Sequence, residues 1–124
     1  ESPEDCSLFS LRVLKAIRVR GASLLPDPGG YSPFAYVLDT FVEGPAGGTG
    51  RSFEWGLARR LAREQKVIIA GGLSLENVTK ALDAADPYGV DVSSGVETGG
   101  EKDFDKMRLF MEEVRRWENA RLAG

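Results

Sequence analysis

Three short apolar runs constrain the fold of this chain most strongly, because each ends at a cluster of small or polar residues. The runs cover residues 36–38, 67–70 and 90–92, and they end at Asp39-Thr40, Gly71-Gly72 and Ser93-Ser94-Gly95. Short runs that are mainly apolar, as these are apart from Asp91, are typical of strands buried on both faces of a parallel sheet. A fourth run, residues 13–19, alternates more and is expected to be an exposed or edge strand.

Helical spacing appears between and after these runs. Residues 3–10 favour a short first helix, whereas the segment 21–33, with three prolines and three glycines, predicts a loop. Strands that alternate with helices predict right-handed βαβ connections and a single α/β domain with a parallel sheet. Three further helices are predicted from the stripe Leu57, Ala58, Leu61 and Ala62; the stripe Val78, Ala81, Leu82 and Ala85, with Ser74 as N-cap; and the face Phe104, Met107, Met111, Val114 and Trp117, with Glu112 and Arg116 as an ion pair.

Composition excludes several kinds of chemistry. The 124 residues are enough for one compact domain, and they include no histidine and a single cysteine, Cys6. A Ser-His-Asp triad, a paired-histidine zinc site and an internal disulfide are therefore excluded. The net charge of −3 gives no reason to expect nucleic acid or an anionic membrane as partner. No apolar run approaches the roughly 20 residues of a membrane span, so we expect a cytoplasmic protein.

Asp39 is the candidate acid or base, because it closes a buried strand at the edge where parallel α/β proteins hold their functional residues. Partial desolvation there helps a carboxyl group to exchange a proton near neutral pH. Capping of loop N–H groups explains such a carboxylate equally well. The glycine-rich segment that follows, residues 43–50, is interpreted as a lid over a ligand or as a surface loop.

The two following strand ends are candidate phosphate-binding loops. Gly71 and Gly72 precede a predicted helix start and let the backbone approach an anion closely. Ser93, Ser94 and Gly95 offer the same at the neighbouring strand. Asp91 is expected to point away from its two valine neighbours, either for structural hydrogen bonding or towards a ligand.

Read together, these motifs resemble the phosphoribosylanthranilate isomerase family of tryptophan biosynthesis. The resemblance spans about residues 36–111, with the motifs in the family's order and spacing. They are Val37-Leu38-Asp39-Thr40, Gly47-Gly48-Thr49-Gly50, Ala70-Gly71-Gly72-Leu73, Val90-Asp91-Val92-Ser93-Ser94-Gly95-Val96-Glu97 and Lys102-Asp103.

The resemblance implies a (β/α)8 TIM barrel, of which this chain holds about strands five to eight with their helices as a half-barrel. It also implies an Amadori rearrangement of a phosphoribosylated anthranilate to a 1-deoxyribulose phosphate, without a cofactor or metal. Asp39 falls on the family's general-acid position. The other site residues that the resemblance assigns are Gly71, Gly72, Asp91, Ser93, Ser94 and Gly95 for substrate and phosphate binding, and Gly47, Gly48, Thr49 and Gly50 in a mobile loop.

Half of that mechanism is missing from the 124 residues. The family's general base is a cysteine at the end of its first strand, and Cys6 precedes the run that resembles strand five. An arginine that the family uses from its N-terminal half is also missing. We therefore expect a partial sequence that is inactive alone and that pairs with the missing half.

Two other functions stay open. One is a non-catalytic half-barrel that binds phosphorylated sugars and associates with a partner chain or with itself through exposed strand edges. The other is a different phosphate-binding barrel enzyme, such as a related isomerase of histidine biosynthesis, and the stretch from Asp91 to Glu97 argues against it.

Overall fold

The computed structural model describes residues 1–21, 23–40 and 49–124, and its main feature is a five-stranded sheet. The strands of this sheet are β1 (Leu14–Arg20), β2 (Ser23–Leu25), β3 (Ala35–Asp39), β4 (Val67–Ala70) and β5 (Gly89–Val90). Their order is β2-β1-β3-β4-β5, in which β1, β3, β4 and β5 are parallel and β2 is antiparallel to β1. The predicted α/β sheet is thus confirmed, with one antiparallel strand added.

Four helices and a small hairpin complete the described part of the chain. The helices are α1 (Pro3–Ser7), α2 (Thr49–Ala62), α3 (Val78–Ala85) and α4 (Phe104–Ala123). A 3₁₀ turn, Ser94–Val96, follows β5, and the hairpin of β6 (Glu97–Thr98) and β7 (Glu101–Lys102) leads into α4. No helix among the described residues is long and apolar enough to span a membrane.

The strand register divides the sheet into a covered face and an open face. Ile17, Leu38 and Ile69 are register partners across three strands, and all three are fully buried against the helices. Ala16, Val37 and Ile68 form the next row on the opposite face, where Ala16 is exposed and the other two are half-buried. The described residues therefore form an open sheet with helices on one face, and they do not close into a barrel.

The strand predictions are confirmed for the runs 36–38 and 67–70 and for the exposed strand in the run 13–19, whereas the run 90–92 is only partly a strand. Strand β4 covers all of the predicted run 67–70, whereas β5 ends at Val90. Strand β1 alternates because only one of its faces is covered, and β2, within the predicted loop 21–33, occupies the sheet edge beside it. A three-residue strand carries too little pattern to be seen from sequence alone.

The last helix packs only part of its predicted face against the core: Val114 and Trp117 are half-buried there, whereas Phe104, Met107 and Met111 are exposed. Phe110 is its buried residue, with Val114 and Trp117 packed beside it, whereas Phe104 is 82% exposed. The apolar residues of α4 extend around more than one face, and packing against α3 selects one of them. The predicted Glu112–Arg116 pair is also wrong: Glu112 pairs with Arg108 at 2.8 Å, and Arg116 pairs with Glu113.

Two helix starts differ from the predictions. Helix α2 begins at Thr49, so Thr49 and Gly50 of the predicted mobile loop have helical backbone, while Gly47 and Gly48 lie outside the described residues. A helix tolerates glycine at its first turn, where backbone N–H groups have no helical partner anyway. Helix α3 begins at Val78 with Asn77 at its cap position, and Ser74 lies in the turn before it.

Candidate functional site

A cleft of about 420 Å³ lies at the carboxyl ends of the parallel strands, on the open face of the sheet. Ala16, Val37, Ala70 and Leu73 form its apolar part. Its other lining residues are six of those expected from sequence to act on substrate, namely Asp39, Gly71, Gly72, Asp91, Ser93 and Ser94. Residues from three strand ends thus come together in one cleft, because parallel strands place their carboxyl ends at the same sheet edge.

Asp39 is held beside the neighbouring strand end by the residue that follows it. Thr40 is buried, and its backbone N–H donates to the Ala70 carbonyl oxygen at 2.9 Å. Its hydroxyl donates toward the carbonyl oxygens of Ala70, at 3.1 Å, and Gly71, at 3.2 Å. Asp39 itself is the last residue of β3 and half-buried on the open face. The Thr40 contacts fix the spacing between the candidate acid and the first glycine loop.

The glycine pair after β4 needs a backbone conformation that other residues rarely adopt. Gly71 has φ 84° and Gly72 has φ 69°, both in the left-handed region. The side-chain amide of Asn77 donates to the Gly72 carbonyl oxygen at 2.8 Å, and its Oδ1 accepts from the Ser74 N–H at 2.9 Å. Asn77 thereby holds the loop in shape, and the absence of side chains at Gly71 and Gly72 leaves its backbone open to the cleft.

Gly95 is the one predicted binding residue that does not line the cleft. A Cβ atom at this position would lie 1.8 Å from the Leu73 carbonyl oxygen, which is far inside van der Waals contact. The loop after β5 therefore packs directly on the loop after β4, and Gly95 allows this contact. Its part in phosphate binding, which the family resemblance implies, stays a prediction, and its contact with Leu73 could not be found from the chain order.

Lys102, which the sequence singled out only as part of a motif before the last helix, is a neighbour of the site. Its ammonium group donates to the Ser93 carbonyl oxygen at 3.0 Å and pairs with Glu97 at 2.7 Å. Lys106 donates to the Glu97 carbonyl oxygen at 2.8 Å, so α4 is tied to the same hairpin. The hairpin thus fixes the start of the Ser93-Ser94 loop and places the Lys102–Glu97 ion pair next to it.

Asp103 caps the last helix and links it to the hairpin. Its carboxylate accepts hydrogen bonds from the backbone N–H groups of Asp105 and Lys106, and from the Thr98 hydroxyl at 2.8 Å. The Thr98 hydroxyl and the Lys106 N–H hold the pKa of Asp103 below its ordinary value of 3.8. The ionised carboxylate is therefore the form that the fold stabilises.

Replacing Asp103 with alanine is expected to lower Tm at neutral pH, because the cap and the Thr98 bond are both lost. A carboxylate whose folded pKa is lowered stabilises the fold above its unfolded pKa and loses that contribution as pH falls through the folded value. The Tm difference between wild type and Asp103→Ala should therefore shrink below about pH 3.8. Thermal unfolding of both proteins, followed by circular dichroism from pH 7 to pH 2, measures this Tm difference. Asp105→Ala is the control, because Asp105 lies in the same first turn of α4 but makes no hydrogen bond with Thr98. A Tm difference between wild type and Asp103→Ala that grows as the pH falls would contradict the stabilising role of the ionised carboxylate.

Cys6 lies far from Asp39. It lines a second cavity with Val13, Tyr31 and Phe34, at the amino ends of the strands. Because Asp39 is the last residue of β3, the thiol and the carboxylate lie at opposite ends of the strands. Within residues 1–21, 23–40 and 49–124, no group of three or more His, Cys, Asp or Glu side chains could hold a metal ion.

Comparison with known sequences identifies the family. The family model described as N-(5'phosphoribosyl)anthranilate (PRA) isomerase matches residues 9–113. The chain is 48% identical to the N-(5'-phosphoribosyl)anthranilate isomerase of Caldanaerobacter subterraneus subsp. tengcongensis over 103 residues, which are 83% of this chain and 51% of that protein. It is also 48% identical to the Moorella thermoacetica enzyme over 120 residues, which are 95% of this chain and 54% of the relative. The chain spans about half the length of the curated relatives it matches.

Solved structures agree with the sequence comparison. The phosphoribosyl anthranilate isomerase of Thermococcus kodakaraensis superimposes with a TM-score of 0.73 at 36% identity, covering 88% of this chain and 55% of that one. A phosphoribosyl anthranilate isomerase in complex with reduced 1-(o-carboxyphenylamino)-1-deoxyribulose 5-phosphate gives a TM-score of 0.73 at 32% identity, covering 93% and 55%. The sheet is therefore of the TIM-barrel type found in these enzymes, and the chain belongs to the N-(5'-phosphoribosyl)anthranilate isomerase family.

Proposed function

We propose that this chain supplies the general acid and the phosphate-binding loops for the isomerisation of a phosphoribosylated anthranilate. The cleft supports the proposal, because it brings Asp39 together with Gly71, Gly72 and Ser94 at one sheet edge. The relative whose ligand carries both a phosphate and a carboxyphenylamino group supports the same substrate class. The proposed place of the reaction is the cytoplasm.

The proposed chemistry divides the cleft into two parts. Asp39 donates a proton to the ring oxygen of the ribose as the ring opens, which is general acid catalysis. The backbone N–H groups after β4 and β5 bind the phosphate. Asp91 and Ser93 complete the substrate-binding edge. Binding the phosphate away from the reacting atoms holds the sugar in place while the proton moves.

We propose further that residues 1–124 form one partial domain, the half-barrel of strands five to eight. The open sheet face supports this proposal, since Leu14 is 53% exposed there and Ala16 is exposed beside it. In the proposed barrel this face becomes the interior, covered by the strands of another segment or by a second copy of the chain. The general base then comes from that covering half, because Cys6 lies at the opposite edge of the sheet.

Titration of the 124-residue chain with ribose 5-phosphate tests the phosphate-binding loops. We expect saturable binding by calorimetry, and at least about a tenfold loss of affinity in Ser94→Asp, because the new carboxylate repels the phosphate. Ser10→Asp introduces the same charge at an exposed position outside the cleft and should bind as wild type does.

Undiminished binding by Ser94→Asp would contradict the placement of the phosphate, and no binding by wild type would contradict the proposed function. A non-catalytic module that binds phosphorylated sugars makes the same binding prediction. The two functions are separated by the turnover measurement on Asp39 described in the Discussion.

A further inference from the structure

The lining of the cleft, as far as the structure describes it, contains no lysine or arginine. It does contain two carboxyl groups, those of Asp39 and Asp91, which repel an anion. A phosphate bound there depends on backbone N–H groups and hydroxyls, whose partial positive charges attract the anion only when they point at it. Residues that orient the peptide groups of the cleft are therefore expected to decide how tightly a phosphate binds.

Two successive peptide groups of the glycine loop are each held by their carbonyl oxygen. The Gly71 oxygen accepts a hydrogen bond from the Thr40 hydroxyl at 3.2 Å, and the Gly72 oxygen accepts one from the Asn77 side-chain amide at 2.8 Å. The Thr40 hydroxyl also contacts the Ala70 oxygen, but that oxygen already accepts from the Thr40 backbone N–H. The hold on the Gly71 oxygen is therefore the contact that the hydroxyl adds.

The direction of a held oxygen sets the direction of the N–H group in the same peptide plane. Both peptide bonds are trans, and in a trans peptide the C=O and N–H bonds point in opposite directions. Holding the Gly71 oxygen thus turns the Gly72 N–H away from Thr40, and holding the Gly72 oxygen turns the Leu73 N–H away from Asn77. Thr40 and Asn77 lie outside the described lining of the cleft, whereas all three loop residues belong to it. Each N–H group is therefore directed away from the side of the loop on which its anchor lies.

The fold itself does not use these two N–H groups. In the described part of the chain, no backbone oxygen accepts a hydrogen bond from the N–H of Gly72 or of Leu73. The next N–H group along the loop, that of Ser74, differs because it donates to the Asn77 Oδ1 at 2.9 Å. Leu73 is buried, and backbone N–H groups of buried residues are rarely left without an acceptor. A ligand oxygen in the cleft is an acceptor of the kind that these groups require.

We propose that Thr40 and Asn77 are positioning residues, each of which aims one N–H group of the glycine loop at the phosphate of the substrate. The proposal rests on the proposed function and deepens it, because it names the side chains on which phosphate affinity depends. Thr40 acts on the Gly72 N–H and Asn77 acts on the Leu73 N–H. N–H groups that already point at the anion lose little conformational freedom when it binds, so the held loop binds more tightly than a mobile one.

Titration of the isotope-labelled chain with ribose 5-phosphate, followed by two-dimensional NMR, tests each anchor separately. In wild type, we expect the amide proton signals of Gly72 and Leu73 to move downfield as the ligand binds, because both donate to a charged oxygen. Thr40→Val removes the hydroxyl and keeps the side-chain shape, so it should diminish the movement at Gly72 and retain that at Leu73. Asn77→Ala should have the reverse effect.

Calorimetry and kinetics measure how much the two anchors contribute. Thr40→Val and Asn77→Ala should each bind ribose 5-phosphate about tenfold more weakly, the effect of one hydrogen bond to a charged group. Thr40→Ser keeps the hydroxyl and should recover most of the affinity. Thr79→Val, the same substitution at an exposed position of α3, should bind as wild type does. When the chain is combined with the N-terminal half of a relative, both weakened variants should raise KM about tenfold and keep kcat within about threefold, because Asp39 is unchanged.

Other outcomes would overturn the proposal in distinguishable ways. Equal changes at both N–H groups in both variants would leave the two anchors with a structural role only. Ribose 5-phosphate binding by wild type without movement of either signal would remove the two N–H groups from the phosphate site, while the proposed function would stand. Absence of binding by wild type would overturn the proposed function as well. If Thr40→Val does not fold, Asn77→Ala decides by itself, since a retained signal movement at Leu73 would contradict the proposal.

Discussion

Replacing Asp39 with asparagine is expected to lower kcat by about 10²–10⁴-fold, the usual contribution of a general acid. Asparagine has nearly the same shape but cannot give up a proton, so the substitution removes the proton donor and leaves the cleft filled. We expect ribose 5-phosphate to bind Asp39→Asn as it binds wild type, because the phosphate-binding loops follow the neighbouring strands. Loss of turnover with retained phosphate binding is therefore the expected signature.

Turnover is best measured on this chain combined with the N-terminal half of a relative, either as a mixture or as a fusion. The Moorella thermoacetica enzyme, 48% identical over 120 residues, is a suitable donor. The unmixed chain should show negligible isomerisation of phosphoribosylanthranilate, and the combination should restore it. Asp105→Asn, an exposed aspartate on α4, is the control and should leave kcat within about twofold.

Three results would contradict this mechanism. Full turnover by the combined Asp39→Asn variant would remove Asp39 as the acid. Turnover by the unmixed wild-type chain would show that a base is present within it. Phosphate binding without any turnover in the combined protein would favour the non-catalytic module.

Replacing Gly95 with alanine is expected to lower the free energy of unfolding by about 3 kcal/mol, the upper part of the range for overpacked positions. The new Cβ would lie 1.8 Å from the Leu73 carbonyl oxygen, so one of two backbone segments has to move. Leu73 is itself buried and follows the glycine pair, so the movement is passed to the phosphate-binding loops. We therefore expect weaker ribose 5-phosphate binding together with the loss of stability.

Urea unfolding of Gly95→Ala beside Gly56→Ala isolates the effect of the loop contact. Gly56 is an exposed glycine within α2, and a Cβ there meets nothing within 4 Å. Alanine at Gly56 should raise the free energy of unfolding by about 0.5–1 kcal/mol, because it favours the helix. If Gly95→Ala unfolds at the same urea concentration as wild type, the two loops are not packed as described.

The sequence predicted the elements whose burial pattern is simple. The run 67–70 is buried at three of its four positions, and the stripe Val78, Ala81, Leu82 and Ala85 is fully buried in α3. Helix α4 was harder, because it has apolar residues on several faces and only packing decides that Phe110 is covered. Antiparallel β2 was missed because pairing with β1, not its own three residues, defines it.

The residues of the candidate site also fall into those that the sequence could predict and those that it could not. Residues that follow strands could be found from the chain order, since parallel strand ends share one edge. The contacts of Thr40 with Ala70, 30 residues away, and of Lys102 with Ser93 could not be found so, because they depend on how loops fold back on one another. The family motifs thus predicted the roles of the site residues, whereas their hydrogen-bond partners became known only from the structure.

The fit of Gly95 against Leu73 has a consequence for building new enzymes from this scaffold. One fold can carry many functions, so each loop at a strand end can be regarded as replaceable by a loop that confers another specificity. Here the loop after β5 fits only if the backbone of the loop after β4 keeps its position, because Gly95 packs against the Leu73 carbonyl oxygen. The loop after β4 is in turn held by hydrogen bonds from Thr40 and Asn77. Residues 71–77 and 93–97 therefore have to be transferred together when either loop is grafted onto another protein.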